Sequence, residues 1–333
     1  MDKAILITGG AGFIGANLVR YLLEQGGYRI TVFDNLITGS KENLHQAVAD
    51  ASSKKGPDPV FVEGDILDAD QIGEAMRGQD RVIHLAAETQ VRESIRNPRP
   101  HLEINAQGTL NVLEAARLNS VRGVLFASSN AAAGRLEPPI HEEMVPCPMS
   151  PYGAVKLYGE ALCTAYYHSF GLPTAIFRFA NVYGPYSLHK TSVVNSFFGR
   201  IYEGQLLEIF GDGLQTRDFI HARDVAQGLE KVLRQSPDNN AVWGQIFQIA
   251  TGIETTIRAL AESILRLSGN SSSLVFRPPI TGEIRRNVSD IAKARRILNF
   301  EPRMILDEQL PPLWQGYRSL RDHGAMPTTT AGD

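Results

Sequence analysis

Cysteine is nearly absent: the 333-residue chain has two, Cys147 and Cys163. Two thiols give no disulfide framework, so a reducing cytoplasm is the expected compartment. Long hydrophobic runs are missing too; no stretch approaches the ~20 apolar residues of a membrane span. There is no basic run, and with a net charge of -3 this argues against nucleic acid as the main partner. Met1-Asp2-Lys3 leads into a short apolar run that ends in glycines without a small-residue cleavage site, so no signal peptide is expected. On that footing the sequons Asn270-Ser271-Ser272 and Asn287-Val288-Ser289 read as chance. No second ligand follows His84 at useful spacing, so no metal site is expected. With 43% hydrophobic residues, there is enough apolar material for one large domain or two.

Strand and helix patterns alternate through the first half. Ala4–Thr8 reads as a buried strand, followed by glycines and an amphipathic helix from about Phe13 to Gln25. Arg29–Phe33, Val60–Val62, Arg81–Leu85 and Gly123–Ala127 are further strands, separated by helical patterns at Ala69–Arg77 and Leu102–Leu118. Ala51–Pro59 is polar and reads as a surface loop. Pro151–Phe170 is a long helix with proline in its first turn, and Thr174–Phe179 another strand. Such alternation implies α/β architecture, a doubly wound parallel sheet with helices on both faces. Beyond Asn181 the alternation weakens, with helices near Ser192–Tyr202, Ala222–Leu233, Ile257–Leu267 and Ile291–Leu298. The expected division is a sheet domain over 1–180 with a returning segment near 222–250, and a smaller discontinuous α/β domain over 181–325. Residues 326–333 read as a frayed tail.

Between the first strand and first helix lies Thr8-Gly9-Gly10-Ala11-Gly12-Phe13-Ile14-Gly15. Glycines permit a tight turn and let backbone N–H groups approach a pyrophosphate at the helix N-terminus. Asp34 ends the second strand ~20 residues later, where a carboxylate accepts from adenosine ribose hydroxyls. Asn35-Leu36 follows, not arginine. A 2′-phosphate is repelled there, so NAD is expected rather than NADP. Asp65, after the third strand, is placed to accept from the adenine amino group. Tyr152 and Lys156 are four residues apart in the long helix and share a face. A fixed cation beside a tyrosine favours the phenolate and moves its pKa from ~10 toward neutrality, which makes a general base.

With these parts assembled, the chain resembles the extended short-chain dehydrogenase/reductases, and within them the nucleotide-sugar epimerase/dehydratase family. The resemblance runs from about Ala4 to at least Phe300. Further markers are His84-Leu85-Ala86-Ala87, Asn105 through Thr109, Ser128-Ser129, Asn181 through Pro185 and Gly211 through Asp218. It implies a Rossmann-type domain with tightly bound NAD, Tyr152 as base, Lys156 as its electrostatic partner and Ser129 as the hydroxyl on the reacting sugar oxygen. It implies that Gly9, Gly12, Phe13, Ile14, Gly15, Asp34 and Asn35 hold the cofactor. Thr38, Gly39, Asp65 and Ile66 join them. Leu85, Ala86 and Ala87 would line the nicotinamide ribose, which Lys156 also holds; Thr89 and Phe179 would join the cofactor site, and Asn105 would support the helix carrying Tyr152. On the substrate side it implies Asn130, Asn181, Lys190, Val193, Arg217, Arg277 and Asn287, with Arg285 as an alternative to Arg277. Guanidinium groups suit a diphosphate through their fixed fork. The apolar faces of the 102–118 and 151–170 helices imply a homodimer through a four-helix bundle.

Reaction type follows from residue differences within that family. Its C4-to-C6 dehydratases carry an Asp-Glu pair directly after the catalytic hydroxyl, and its UDP-glucuronate decarboxylases a glutamate at the second position. Here Asn130 and Ala131 stand there. The resemblance therefore implies a UDP-hexose 4-epimerase working through a transient 4-keto sugar. UDP-glucuronate 4-epimerases place an arginine where Leu188 stands, with Lys190 a neighbouring substitute. Asn287 falls at the position that gates the sugar C2 group. A large aromatic there blocks N-acetyl sugars, so asparagine implies room for them. Ala133 stands where the family usually has tyrosine, and Ile280 where an arginine commonly binds phosphate. A different class, a catalytically silent NAD-binding sensor, has no need of Ser129, Tyr152 and Lys156 together. His141-Glu142-Glu143 reads as a solvated loop, and His221, Cys163 and Tyr166-Tyr167 as packing.

Overall fold

A computed structural model describes residues 2–188, 190–269, 273–280 and 284–322. The 326–333 tail, the Asn270 sequon and Thr281-Gly282-Glu283 lie outside the described residues. Short apolar strands β1 (Lys3–Thr8), β2 (Tyr28–Asp34), β3 (Val60–Glu63), β4 (Arg81–His84), β5 (Val124–Ser129) and β6 (Thr174–Phe179) form one parallel sheet. Farther on, β7 (Asn181–Tyr183) pairs with β10 (Phe219–His221), β8 (Leu207–Phe210) with β13 (Leu274–Arg277), and β9 (Thr216–Arg217) with β12 (Thr255–Thr256). Strand β11 (Gln245–Ile249) returns to the main sheet, whose order is β11-β6-β5-β4-β1-β2-β3. Chain direction across the sheet reverses between β1 and β4, and such a switch point opens a crevice beyond the carboxyl ends of the strands.

Alternate β1 side chains face opposite ways, which divides the interior. Ile5 and Ile7 pack with α1 (Phe13–Gln25). Leu6 packs on the other face. Helix α2 (Lys41–Ala49), capped by Ser40, was not legible in the periodicity; it buries only Leu44 and Ala47, with Val48 half-buried beside them. Helix α3 (Ala69–Met76) lies over the Leu6 face. The helix expected over 102–118 is interrupted. Short helices α4 (Val91–Arg96) and α5 (Pro98–Leu102) lead into a π-turn over Glu103–Gln107, then α6 (Gly108–Leu118). Gly108 permits this close course, since a Cβ there would lie 2.4 Å from Ile66 Cδ1. A single turn, α7 (Asn130–Ala133), precedes the long α8 (Pro151–Phe170), which closes the Leu6 face with Cys163 and Tyr166.

A second core gathers α9 (Val193–Tyr202), α11 (Ile257–Ser268) and α13 (Leu306–Asp322) around Phe197, Phe198, Leu260, Ile264 and Trp314. Helix α13 escaped sequence reading because Pro311 and Pro312 sit inside it. Helix α10 (Ala222–Leu233) packs on α1 in the sheet domain. So does α12 (Ala292–Leu298): Ile291, Ala294, Leu298 and Phe300 are buried in the Ile5/Ile7 core. The expected division places these residues in the discontinuous 181–325 part. Residues 291–300 return to the sheet because their apolar side chains cover β11 and α10.

Candidate active site

The glycine loop is fixed by steric necessity. Gly9 has φ +71°, and a Cβ there would lie 2.6 Å from the Ala86 backbone nitrogen. A Cβ on Gly15 would meet the Gly9 carbonyl oxygen at 2.3 Å. Helix α1 begins at Phe13 with Gly12 as a cap that offers no side chain. Asp34 is buried; its Oδ2 accepts from Ala11 N at 3.0 Å and its Oδ1 from Leu36 N at 2.9 Å. Burial pushes this carboxyl up, and the two amides pull it back down. Gly39 crosses tightly, 3.0 Å from Asp34 Oδ2 for a built Cβ. Thr38 belongs to the same loop. Asn35 Nδ2 donates to Asp65 Oδ2 at 3.0 Å, so two candidate positions 30 residues apart meet. Beside Asp65, Ile66 is buried against Gly108. Phe13 is buried, with Ile14 half-buried beside it. This small-residue cradle with a carboxylate at its rim fits a dinucleotide, because glycines let backbone N–H groups approach phosphate.

Tyr152 is the second residue of α8. Ser150 caps that helix by accepting from Gly153 N at 3.1 Å, and Pro151 opens it. Gly153 is required for packing, since a Cβ would lie 2.2 Å from the Ala131 carbonyl oxygen. Ser94 of α4, which sequence reading missed, accepts from Tyr152 N at 3.2 Å and donates to Val91 O at 2.6 Å. Ser129 ends β5 and caps α7, accepting from Ala131 N at 3.1 Å. Phe179 pairs in register beside it on β6.

The expected effect of Lys156 on Tyr152 is not what the geometry gives. Lys156 Nζ donates to Ala127 O at 2.9 Å and lies 6.0 Å from the Tyr152 ring centroid. Burial dominates both groups. It pushes the Tyr152 phenol up to about 12, with Glu88 adding to the rise and the Ser129 hydroxyl opposing it. It draws Lys156 down to about 8, against the nearby Cys163 and Glu160. In this state the phenol is a proton donor rather than a ready base. Glu160 is itself engaged: it accepts from Ser128 Oγ at 2.5 Å and from Arg178 Nε and Nη2 at 2.9 and 2.7 Å.

Loop residues Leu85, Ala86 and Ala87 follow β4 beneath the glycine loop. Asn105 does not reach α8 with its side chain; its amide donates to Glu88 O and accepts from Glu88 N, each at 2.9 Å. These two bonds hold the loop after β4. His84 joins β1 to α6 through Thr8 and Thr109. His221 accepts from Arg223 N at 3.1 Å as the cap of α10.

On the substrate side, Lys190 Nζ donates to Thr89 Oγ1 at 3.1 Å, which brings two candidates together from 101 residues apart. Burial draws this ammonium down, and Glu88 opposes the shift. Asn130 Nδ2 donates to Asn287 Oδ1 at 3.2 Å and to Ser289 Oγ at 2.8 Å, all three residues being buried. Asn130 Oδ1 has no partner among the described residues. Asn181 lies exposed at the start of β7, paired with Phe219. Nearby Arg217 Nη1 donates to Thr216 O and Ile284 O at 2.7 and 2.9 Å. Val193 opens α9 and is half-buried. Arg277 is bound to Glu208 at 2.7 Å, and Arg285 to both oxygens of Asp212 at 2.6 Å. Glu142 is less solvated than expected; it accepts from Gln248 N on edge strand β11 at 2.7 Å. Among the described residues no three His, Cys, Asp or Glu side chains are grouped to hold a metal.

The sequence matches the NAD dependent epimerase/dehydratase family over residues 5–250. It is 35% identical to the UDP-glucose 4-epimerase of Mycolicibacterium smegmatis over 319 residues, 94% of this chain and 98% of that one. Its fold superposes on the Thermotoga maritima UDP-glucose 4-epimerase solved with UDP-glucose, with TM-score 0.86 at 31% identity, covering 96% of this chain and 99% of that one. The Bacillus cereus UDP-glucuronic acid 4-epimerase, solved with UDP-glucuronic acid and NAD, gives TM-score 0.86 at 29% identity, covering 95% and 99%. With the glycine cradle and Asp34 fitting the dinucleotide, the chain is an enzyme of the NAD-dependent epimerase/dehydratase family, and NAD is its cofactor.

Proposed function

We propose that this enzyme epimerises a UDP-hexose at C4, interconverting UDP-glucose and UDP-galactose through a transient 4-keto sugar. The observation that carries this reading is the pair after Ser129. Asn130 and Ala131 bring no carboxyl group, and the Asn130 amide is committed to Asn287 and Ser289. Eliminating water needs an acid and a base beyond tyrosine; moving one proton out and back does not. When bound, NAD supplies the hydride acceptor and donor, and a positive ring charge that favours the phenolate. Tyr152 then takes the proton of the C4 hydroxyl and returns it after the keto sugar has turned over. Ser129 orients that oxygen. Lys156, anchored on the Ala127 carbonyl, holds positive charge behind the phenol.

Asn287 at the C2 gate supports acceptance of N-acetyl sugars as well. The second reading, a UDP-glucuronate 4-epimerase, is favoured by one observation: Lys190, half-buried on Thr89, is a cation available to a C6 carboxylate. The assembly proposed is a homodimer through α6 and α8. In support, Leu118 is 69% exposed, Phe170 55% and Tyr158 44%. The proposed compartment is the cytoplasm. Incubation with a panel of UDP-sugars, followed by product separation, tests the reading. C4 epimers of UDP-glucose or UDP-N-acetylglucosamine are expected. Turnover of UDP-glucuronate alone selects the second reading, and no C4 epimer from any UDP-sugar overturns both.

A further inference from the structure

At the pole opposite the glycine loop, the amino ends of the strands frame a groove of about 940 Å³. Its size lies within the range of small-molecule sites. Five cations from five separate segments line it: Lys3 at the start of β1, Arg29 at β2, Arg81 at β4, Arg122 before β5 and Arg234 after α10. Two acids, Asp2 and Asp80, oppose them in the lining, with Asp80 Oδ2 already accepting from Ala4 N at 2.8 Å, and Arg234 Nε is paired with Glu230 of α10. In a chain of net charge -3 this concentration is not a consequence of composition. The six-residue β1 separates Lys3 from Thr8 by roughly 17 Å, so the groove is distinct from the candidate active site.

The cations are held close enough to repel. After burial, the charges of Arg81, Arg234 and Arg122 are what draw the Lys3 ammonium down, and Arg122 does the same to Arg81. Gathering like charges costs stability, and the anion that relieves the repulsion is a ligand. Arg81 is 2% exposed and stacked 5.5 Å from the Trp243 ring. Its Nη1 and Nη2 donate to Asp80 O at 3.0 Å and Gln235 O at 3.4 Å, while Nε has no partner among the described residues. Lys3 Nζ donates to Leu233 O at 2.6 Å, which holds it at the rim. Arg29 and Arg122 are exposed beside them.

We propose that this groove is a second anion site, which takes a small linear polyphosphate, either free or as the tail of a nucleotide. The exposed guanidinium groups of Arg29, Arg122 and Arg234 on one concave surface, with Lys3 and Arg81 fixed beneath them, suit a chain of phosphates better than a single carboxylate. The test is calorimetric titration at fixed ionic strength with inorganic tripolyphosphate, and separately with ATP. One equivalent per chain is expected, weakened at least tenfold in Arg29→Glu/Arg122→Glu. Both positions are exposed, so the variant should keep its Tm and its epimerase activity. Arg29→Gln/Arg122→Gln should fall between. Equal affinity for the two ligands assigns the free polyphosphate; tighter ATP assigns the nucleotide. Unchanged binding in the charge-reversed variant overturns the proposal. So does a groove-dependent response to a 20-nucleotide RNA alone.

Discussion

Thr8 Oγ1 lies 2.7 Å from His84 Nδ1, and this contact ties the end of β1 to the end of β4 at the switch point of the sheet. The rest of the chain of bonds fixes its direction. Thr109 Oγ1 donates to Asn105 O at 2.6 Å, so it accepts from His84 Nε2 at 3.1 Å. Nε2 therefore carries the proton and Nδ1 accepts from Thr8. Ala86 N donates to Thr8 Oγ1 at 3.4 Å, and Asn105 holds Glu88. One neutral imidazole thus links the glycine loop, the Leu85–Glu88 segment and α6.

Acid should expose the cost of that neutrality. Burial, with the Lys156 charge, draws His84 down to about 3, and burial draws His221 to about 4. The unfolded chain takes up protons near pH ~6.5 while the folded one does not. Stability is therefore full above pH ~6.5 and falls as pH drops, by about 1.4 kcal/mol per unit for each histidine, down to about 4 for His221 and about 3 for His84. Urea midpoints at pH 7, 6 and 5 should show this slope, and His84→Gln should remove one histidine's share of it. An unaltered slope in the variant would contradict the neutral assignment.

Lys156 should trade stability for function. Its folded pKa, lowered by burial to about 8, lies below the unfolded 10.5. The penalty is complete below pH 8 and is relieved as pH rises to 10.5, since only the unfolded state holds the proton there. Lys156→Met is expected to gain on the order of 1–3 kcal/mol at pH 7, less near pH 10, while losing turnover. Denaturant unfolding at the two pH values, beside an activity assay, measures both halves.

Tyr152→Phe should reduce epimerisation by ~100-fold or more while NAD remains bound. The Ser94 contact is to the Tyr152 backbone, so α8 stays in place. Retained turnover would remove Tyr152 from the proton path. NAD released by denaturing the purified variant, and quantified by enzymatic reduction to NADH, checks cofactor retention.

Glu160 and Arg178 form an ion pair 3% and 2% exposed at the side chain, 2.7 Å apart. Glu160→Gln leaves a buried guanidinium uncompensated and should cost about 3–5 kcal/mol. Glu160→Leu with Arg178→Met should recover most of that loss. A double-mutant cycle in urea decides it, because additive losses would mean that the pair is not coupled.

Asn130→Ala removes the donor that joins Asn287 and Ser289 to the catalytic edge of the sheet. The expected cost is about 1–2 kcal/mol in stability. Steady-state kinetics should show a severalfold rise in KM for the UDP-sugar with kcat nearly retained. A collapse of kcat alone would place Asn130 in the chemistry instead.

Local physics made part of this protein legible in its sequence. Apolar runs of strand length, a glycine loop with Asp34 ~20 residues on, and tyrosine and lysine one helical turn apart each need only near neighbours. The α8 boundaries, Pro151–Phe170, follow from a serine cap, a first-turn proline and Gly171. What tertiary structure decided lies across long separations. Ser94 meets Tyr152 over 58 residues, His84 meets Thr8 over 76, and Asn130 meets Asn287 over 157. The 291–300 segment joined the sheet domain because its apolar side chains fitted there. The Tyr152 pKa was decided the same way. Sequence places a cation one turn from the phenol, but burial, which no spacing encodes, outweighs the charge of a lysine turned toward the Ala127 carbonyl.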